Sequence, residues 1–279
     1  MSLFIASLNS GSNGNCYYIG TEQEAVLVDA GISGREINRR MQKLGLSMDK
    51  VKAVFVSHEH ADHITGLPSL VKNHRLPVYI TQHTHQHCGF TLEADLAPSF
   101  QPFVPVQIGS LSITAFPKYH DAIDPHSFII TNNETTVGVF TDIGEPCQHV
   151  NHYFAHCHAA FLETNYDDDM LSRGRYPVFL KNRIRGNQGH LSNKQALDLF
   201  TAHRSPYMTH LLLSHLSKDN NSPQLVQQLF DQNSGDVHVT VASRYEASAI
   251  FEVTATGKNA VPPLKMPVKK PVQLQLSLF

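Results

Sequence analysis

The sequence predicts an α/β protein built as a layered sandwich, two mixed sheets flanked by helices. Three observations predict it. Short apolar segments recur along the chain and are punctuated by Gly, Asn and Asp. Strands come in runs early and alternate with helices later, whereas a doubly wound sheet would alternate regularly from the start. Hydrophobic content of 41% against 16% charged residues describes a chain that buries a core.

Taken in order, residues 2–8, 15–20 and 25–29 read as strands, the last ending at Asp29-Ala-Gly31. A helical stretch at 34–44 precedes the apolar strand Val51–Val56. Residues 65–74 read as helical, 77–80 as extended and 83–89 as helical. Extended segments return at 105–109, 111–117, 126–132 and 135–141. The second half carries a strand at 158–163 and a basic stretch from Arg173 to Arg185. A helix capped by Ser192 is expected over 192–203, then strand 208–213, helix 222–231 and strand 236–241.

Composition narrows the function classes. A formal charge of −2 gives no global attraction to nucleic acid, so a polyanion would need a local basic patch. No apolar run approaches the roughly 18–20 residues of a membrane span, and the start MSLFIASLNSGSNGNC lacks the pattern of a signal peptide. Cys16, Cys88, Cys147 and Cys157 are scattered and form no C-x-x-C pair, which points to a reducing, cytoplasmic setting.

The 18 histidines are more informative. Strand 51–56 runs directly into His58, His60, Asp62 and His63, four potential ligands within six residues. Imidazole and carboxylate together suit zinc, manganese or iron. One loop cannot complete two coordination shells, so further ligands must come from other strand ends. His120, Asp142 and His215 each stand where an apolar strand gives way to a loop. His83, His85 and His87, and the group His149, His152, His156 and His158, read as surface residues. Ser12, Asn13 and Asn15 read either as a polar rim near the metals or as a Gly-rich tight turn.

The order Asp29, His58-x-His60-x-Asp62-His63, His120, Asp142, His215 resembles the five motifs of the metallo-β-lactamase superfamily, over nearly the whole chain. The resemblance implies an αββα sandwich with the site at one edge. It implies two divalent metal ions, zinc or manganese with iron as a further candidate. His58, His60 and His120 would hold the first, Asp62, His63 and His215 the second, with Asp142 bridging and Asp29 supporting the ligand loop. Two such ions lower the pKa of a shared water and stabilise an in-line displacement, with Asp62 as a candidate to orient the nucleophile. The carboxylate at Asp142 favours a phosphodiester, and the thiolate common in β-lactam-cleaving members is absent there.

Longer strings narrow the resemblance. Ser10–Cys16, His120–Pro125, Glu163–Asp167, Gly189–Asn193 and Ser214–Asn221 look like the WalJ/YycJ branch, which is associated with nuclease activity. Ser127-Phe128 departs from that branch, which usually has Gly before the aromatic. His190, in Gly-His-Leu-Ser before a helix, is a candidate to contact a scissile phosphate or protonate a leaving oxygen. Arg173, Arg175, Lys181, Arg183 and Arg185 have no acid between them and are candidates to track a phosphate backbone.

After residue 254 the composition changes. Residues 255–274 are rich in Pro and Lys and read as a linker following a hydrolase domain at 1–254. The last five residues, Gln275, Leu276, Ser277, Leu278 and Phe279, match the Q-L-[SD]-L-F peptide with which bacterial proteins dock on the DNA polymerase sliding clamp. Leu278 and Phe279 would fill an apolar pocket while Gln275 anchors by hydrogen bonds. The sequence therefore points to a DNA phosphodiesterase, a 5′–3′ exonuclease brought by the clamp to mismatch repair or replication-linked processing. A small-molecule phosphodiesterase or thioester hydrolase, an RNA-processing nuclease, and an adaptor with a vestigial site are the competing readings.

Overall fold

The computed structural model describes residues 2–255. Its strands fall into two sheets. The first holds β1 (Leu3–Asn9), β2 (Cys16–Gly20), β3 (Ala25–Val28), β4 (Val51–Phe55), β5 (Val78–Tyr79) and the late strand β13 (Phe251–Val253), in the order β13-β1-β2-β3-β4-β5. The second holds β6 (Val106–Ile108), β7 (Leu111–Pro117), β8 (His126–Thr131), β9 (Thr136–Phe140), β10 (Ala159–Glu163), β11 (His210–Ser214) and β12 (His238–Val241), in reverse numerical order.

Both faces of each sheet are covered, which is why the strands read as continuous apolar runs rather than strict alternations. On β2, Tyr17 and Ile19 point into the layer between the sheets, while Cys16 and Tyr18 point to the outer helices. On β10, Ala159 and Phe161 face inward, and Ala160 and Leu162 face the helices on the other side. The inner layer is tied by aromatic contacts across it: the Tyr17 and Phe161 rings lie 4.7 Å apart and Phe55 and Phe128 5.8 Å apart.

Helices α1 (Gly34–Lys43) and α3 (Leu67–His74) cover the first sheet through Ile37, Met41, Leu67 and Leu70. The second sheet is covered by α5 (Gln148–Phe154), α8 (Asn193–His203) and α9 (Pro223–Asp231), through Phe154, Phe200 and Phe230 among others. Ser192 caps α8 as expected, and Gln195 returns the bond to complete a capping box. This is an αββα sandwich.

Strand direction places the site. In the second sheet β9 to β12 are all parallel, and β7 runs the same way because two antiparallel pairings separate it from β9. In the first sheet β1, β3 and β4 likewise share a direction. Their carboxyl ends meet at one edge of the sandwich, where the His215 N–H donates to Ser10 Oγ at 2.7 Å.

The structure corrects several local expectations. The helix expected over 65–74 is α3, and a short helix the sequence reading did not assign, α2 (Ala61–Ile64), precedes it, so Asp62 and His63 lie on a helical turn. The sequence reading left 142–157 without an element, yet α5 forms there, and it had no counterpart of β13. His158 is buried rather than on the surface, and its Nδ1 accepts from the Thr136 N–H. The helix expected over 83–89 is α4 (Gln82–His87), and the basic stretch is carried by α6 (Asp168–Arg173), α7 (Val178–Arg185) and the turn between them. The expected linker, apart from Ala255, and the peptide 275–279 lie outside the described residues. No helix among the described residues is long and apolar enough to cross a membrane.

Candidate metal centre

The loop after β4 is held from below by the turn after β3. Asp29 is fully buried; its Oδ1 accepts the Ser57 N–H, and its Oδ2 accepts from Ser57 Oγ and faces His63 Nδ1 at 2.7 Å. Backbone bonds finish the attachment: Ala30 N–H to the His63 carbonyl and Asn15 N–H to the Asp62 carbonyl. Gly31 makes the approach possible, because a Cβ there would lie 1.7 Å from the Asp62 carbonyl oxygen.

Each strand end then delivers one group. His120 follows β7, Asp142 follows β9, Glu163 ends β10 and His215 follows β11. Asp29, Asp142 and His215 all adopt left-handed backbone angles, with φ of 60°, 54° and 57°. Such a conformation costs a non-glycine residue of order 1 kcal/mol or more, and it turns each side chain sharply off its strand toward the common edge.

The potential ligand atoms gather in overlapping groups, each within 4.8 Å: His58, His60 and His120; Asp62, His63 and His215; His58, His63 and Asp142; and Asp142, Glu163, His190 and His215. His58 Nε2 and His60 Nδ1 face one another at 3.0 Å. Asp142 stands between the groups, 3.2 Å from His63 Nε2 and 3.8 Å from His120 Nε2. Four imidazoles have their Nδ1 engaged: His58 with Ser57 Oγ, His63 with Asp29, His120 with the Gly189 carbonyl and His215 with Glu163. This orients each Nε2 into the cluster, as metal-ligating histidines require. The buried Nε2 of His120 has no hydrogen-bond partner among the described residues, while His215 Nε2 and Asp142 Oδ2 meet only other groups of the cluster, Asp62 Oδ2 at 3.4 Å and His63 Nε2 at 3.2 Å. Orphaned buried donors and acceptors are costly unless an ion completes them, so the residues present fit a divalent metal.

Comparison with known proteins agrees with that geometry. The family model described as beta-lactamase superfamily domain matches residues 24–215. The chain is 32% identical over 235 residues to exodeoxyribonuclease YycJ of Bacillus anthracis, covering 83% of this chain and 89% of the relative. It is 28% identical over 223 residues to exodeoxyribonuclease WalJ of Streptococcus pneumoniae, covering 78% and 83%. The chain belongs to the metallo-β-lactamase superfamily. Within the superfamily it lies in the WalJ/YycJ-like branch and is a metal-dependent hydrolase. Its fold matches that of the metallo-β-lactamase fold protein YhfI from Bacillus subtilis, with a TM-score of 0.70 at 17% identity over 90% of this chain and all of that one.

The electrostatics of a metallo-β-lactamase edge follow from packing many charges out of water. Burial drives the His58 imidazole well below its usual pKa, helped by His63 and Lys118, and pushes His120 down to about 3. For His63 burial is outweighed by the Asp142, Asp29 and Asp62 carboxylates, which hold its pKa well above the ordinary value. His215 is raised to about 10, again against burial, by Asp142, Asp62 and Glu163. Burial opposes the Asp142 charge, yet His215 and His63 keep its carboxyl well below the usual range. Lys118 is buried beneath this cluster, and its Nζ donates to the Thr141 carbonyl at 2.6 Å.

Two residues outside the sequence-read ligand set matter. Glu163 Oε1 lies 2.8 Å from both His190 Nδ1 and His215 Nδ1, while Oε2 accepts from the Ile143 and Leu191 N–H groups. Both oxygens are thus engaged within the protein, so Glu163 orients rather than ligates. Its signal was present in the sequence, since it ends the apolar strand Ala159–Glu163 just as Asp142 follows β9. Asn15 is the second: its Nδ2 lies 3.3 Å from Asp62 Oδ2 and 3.2 Å from His63 Nε2.

His190 is brought to the cluster, its ring 5.2 Å from those of His120 and His215. Of the basic residues, only Arg183 has a contact beside the cluster among the described residues. Arg183 pairs with Asp121, the neighbour of His120, at 2.5 Å; Lys181 and Arg185 bond the chain at Ser172; and Arg173 and Arg175 are exposed.

Proposed function

We propose that this chain is a dinuclear metal-dependent phosphodiesterase of the cytoplasm that acts on DNA as a 5′–3′ exonuclease. The observation that carries the reading is the pair of ligand groups meeting at Asp142. His58, His60 and His120 would hold one ion, Asp62, His63 and His215 the other, with Asp142 between them. Zinc or manganese bound there would supply charge neutralisation for an in-line displacement and a water acidic enough to attack near neutral pH.

The chain's own groups do the rest. Asp62, with about a fifth of its side chain exposed, faces the open side and would orient the attacking water. His190 is similarly accessible, and the buried Glu163 fixes its ring by holding Nδ1, leaving Nε2 to protonate the departing oxygen. Arg173, Arg175, Lys181, Arg183 and Arg185 would steer the strand along the rim. The nuclease names of the relatives at 32% and 28% identity support a DNA substrate.

The remaining chain extends the reading. Residues 1–254 would form the hydrolase domain, 255–274 a tether, and Gln275–Phe279 the peptide that brings it to the sliding clamp for mismatch repair or replication-linked processing. The test is digestion of single- and double-stranded DNA labelled at either end, with Mn²⁺ or Zn²⁺ supplied. Stepwise loss from the 5′ end is expected, and a protein inert on every substrate sinks the reading. Clamp binding measured with and without residues 275–279 tests the recruitment separately: if deletion changes nothing, recruitment falls and the hydrolase stands.

A further inference from the structure

The parallel strands β9, β10 and β11 deliver Asp142, Glu163 and His215 to the edge in turn, and β12 is the next strand in the same direction. Its carboxyl end delivers Ser243, Arg244 and Tyr245, for which the metal centre has no use. Beyond the ends of β11 and β12 lies a cavity of about 300 Å³, the lower end of the range for small-ligand pockets, roughly 300–1,000 Å³. Ligands of α/β sheets sit outside the carboxyl ends of parallel strands, and this cavity occupies that position one strand further out than His215.

Its walls are of two kinds. Leu216, Pro223 and Val241 give an apolar side, with the exposed ring of Tyr245 at the mouth. Lys218 and Arg244 bring two cations, and no carboxylate lines the cavity among the described residues. Arg244 is held in place: its Nη2 donates to the Leu216 carbonyl at 2.6 Å, and it packs over Gly11, where a Cβ would lie 2.9 Å from that nitrogen. Lys218 is exposed and free to close on a ligand. The cavity touches the metal centre through Ser10, which lines it and accepts the His215 N–H.

We propose that this cavity seats one terminal nucleotide of the strand being cut, its phosphate on Arg244 and Lys218 and its base against Tyr245 and the apolar wall. Two cations on a cavity wall that carries no carboxylate suit a phosphate, and an aromatic face beside apolar side chains suits a nucleobase of any sequence. A volume of about 300 Å³ suits a single nucleotide. The proposal rests on the DNA-hydrolase reading given above, which it deepens by fixing how much of the strand is held beyond the cut.

The test is calorimetric titration of the full chain loaded with Mn²⁺, using deoxyadenosine 5′-monophosphate, deoxyadenosine and inorganic phosphate as probes, with DNA hydrolysis followed in parallel. Saturable binding of the monophosphate is expected, with each fragment alone weaker by about tenfold or more. Tyr245→Ala should weaken the monophosphate about five- to hundredfold through lost stacking. Lys218→Ala should weaken it about tenfold through the lost charge-assisted contact. Both side chains are exposed, so an unchanged melting temperature accompanies each loss; Arg244→Ala adds to the case but also removes the Leu216 contact. Affinity unmoved in K218A and Y245A but abolished in H58A would place the monophosphate on the metals and overturn the proposal. If the chain cuts DNA and the two variants bind the monophosphate like the wild type, the cavity assignment falls alone. If it binds as expected but cuts no DNA, the nuclease reading falls and the nucleotide seat stands.

Discussion

The two halves of the metal centre are built in different ways. His58, His60, Asp62 and His63 come from one loop and the helical turn after it, a stretch of six residues pinned by Asp29 and Gly31. His120, Asp142 and His215 come from three strand ends separated by up to 95 residues, the span from 120 to 215, and are aligned by the shared direction of β7, β9 and β11 in the second sheet. The loop half is a local device whose geometry depends on a few hydrogen bonds beneath it. The strand-end half is a property of the whole sheet and of the buried carboxylate, Glu163, that ties His215 to His190. Local construction makes the first half easy to perturb alone; the second moves only with its neighbours.

The largest effect tests whether the halves act as one unit. His58→Ala removes a proposed loop ligand and Asp142→Asn weakens the proposed contact between halves, and each should abolish hydrolysis and reduce bound metal below the two ions per chain expected of the wild type. Metal analysis alongside turnover reads this out; a D142N variant that keeps both ions and full activity would break the coupling. His190→Ala should come next: with its ring as the proposed proton donor, turnover should fall about 10²–10⁴-fold while metal content stays unchanged. Loss of metal in that variant would make His190 a ligand instead.

Glu163→Gln should cost about 10–100-fold in activity or metal affinity through mis-set imidazoles. It also carries a pH signature. In the folded chain the His190 and His215 imidazoles overcome burial and hold Glu163 at about 2, below its ordinary 4.5. A depressed carboxyl contributes stability that is complete above about 4.5 and is lost as pH falls toward 2. The melting temperature of the metal-free wild type should therefore exceed that of E163Q at neutral pH, with the gap narrowing below 4.5; a gap that widens in acid would contradict this. The smallest effect lies outside both halves. Arg173→Ala and Arg175→Ala should each lower the salt slope of DNA binding by about one and leave turnover at saturation unchanged.

How much of this was legible in the sequence follows the same division. The strands of the sandwich core were readable because burial on both faces leaves runs such as Val51–Phe55 and Ala159–Leu162 nearly free of polar residues. Helix α5 was not, because Gln148, Asn151 and His152 dilute its apolar face to Val150, Tyr153 and Phe154. Strand β13 was missed because three residues carry no period, and only pairing with β1 makes them a strand. His158 was misplaced for a related reason: a histidine in a polar-looking stretch gives no sign that the Thr136 N–H awaits it inside.

By itself the sequence determined the types and order of the candidate ligands and the loop that carries four of them. Those features depend on residue chemistry and short spacing, which a chain displays whether folded or not. Only the tertiary structure decided that Glu163 joins His190 to His215, that Lys118 lies buried beneath the carboxylates, and that β12 brings Arg244 and Tyr245 beside the centre. Each of these depends on which strands run parallel and which ends share an edge, a relation between distant segments that packing fixes and linear order does not display.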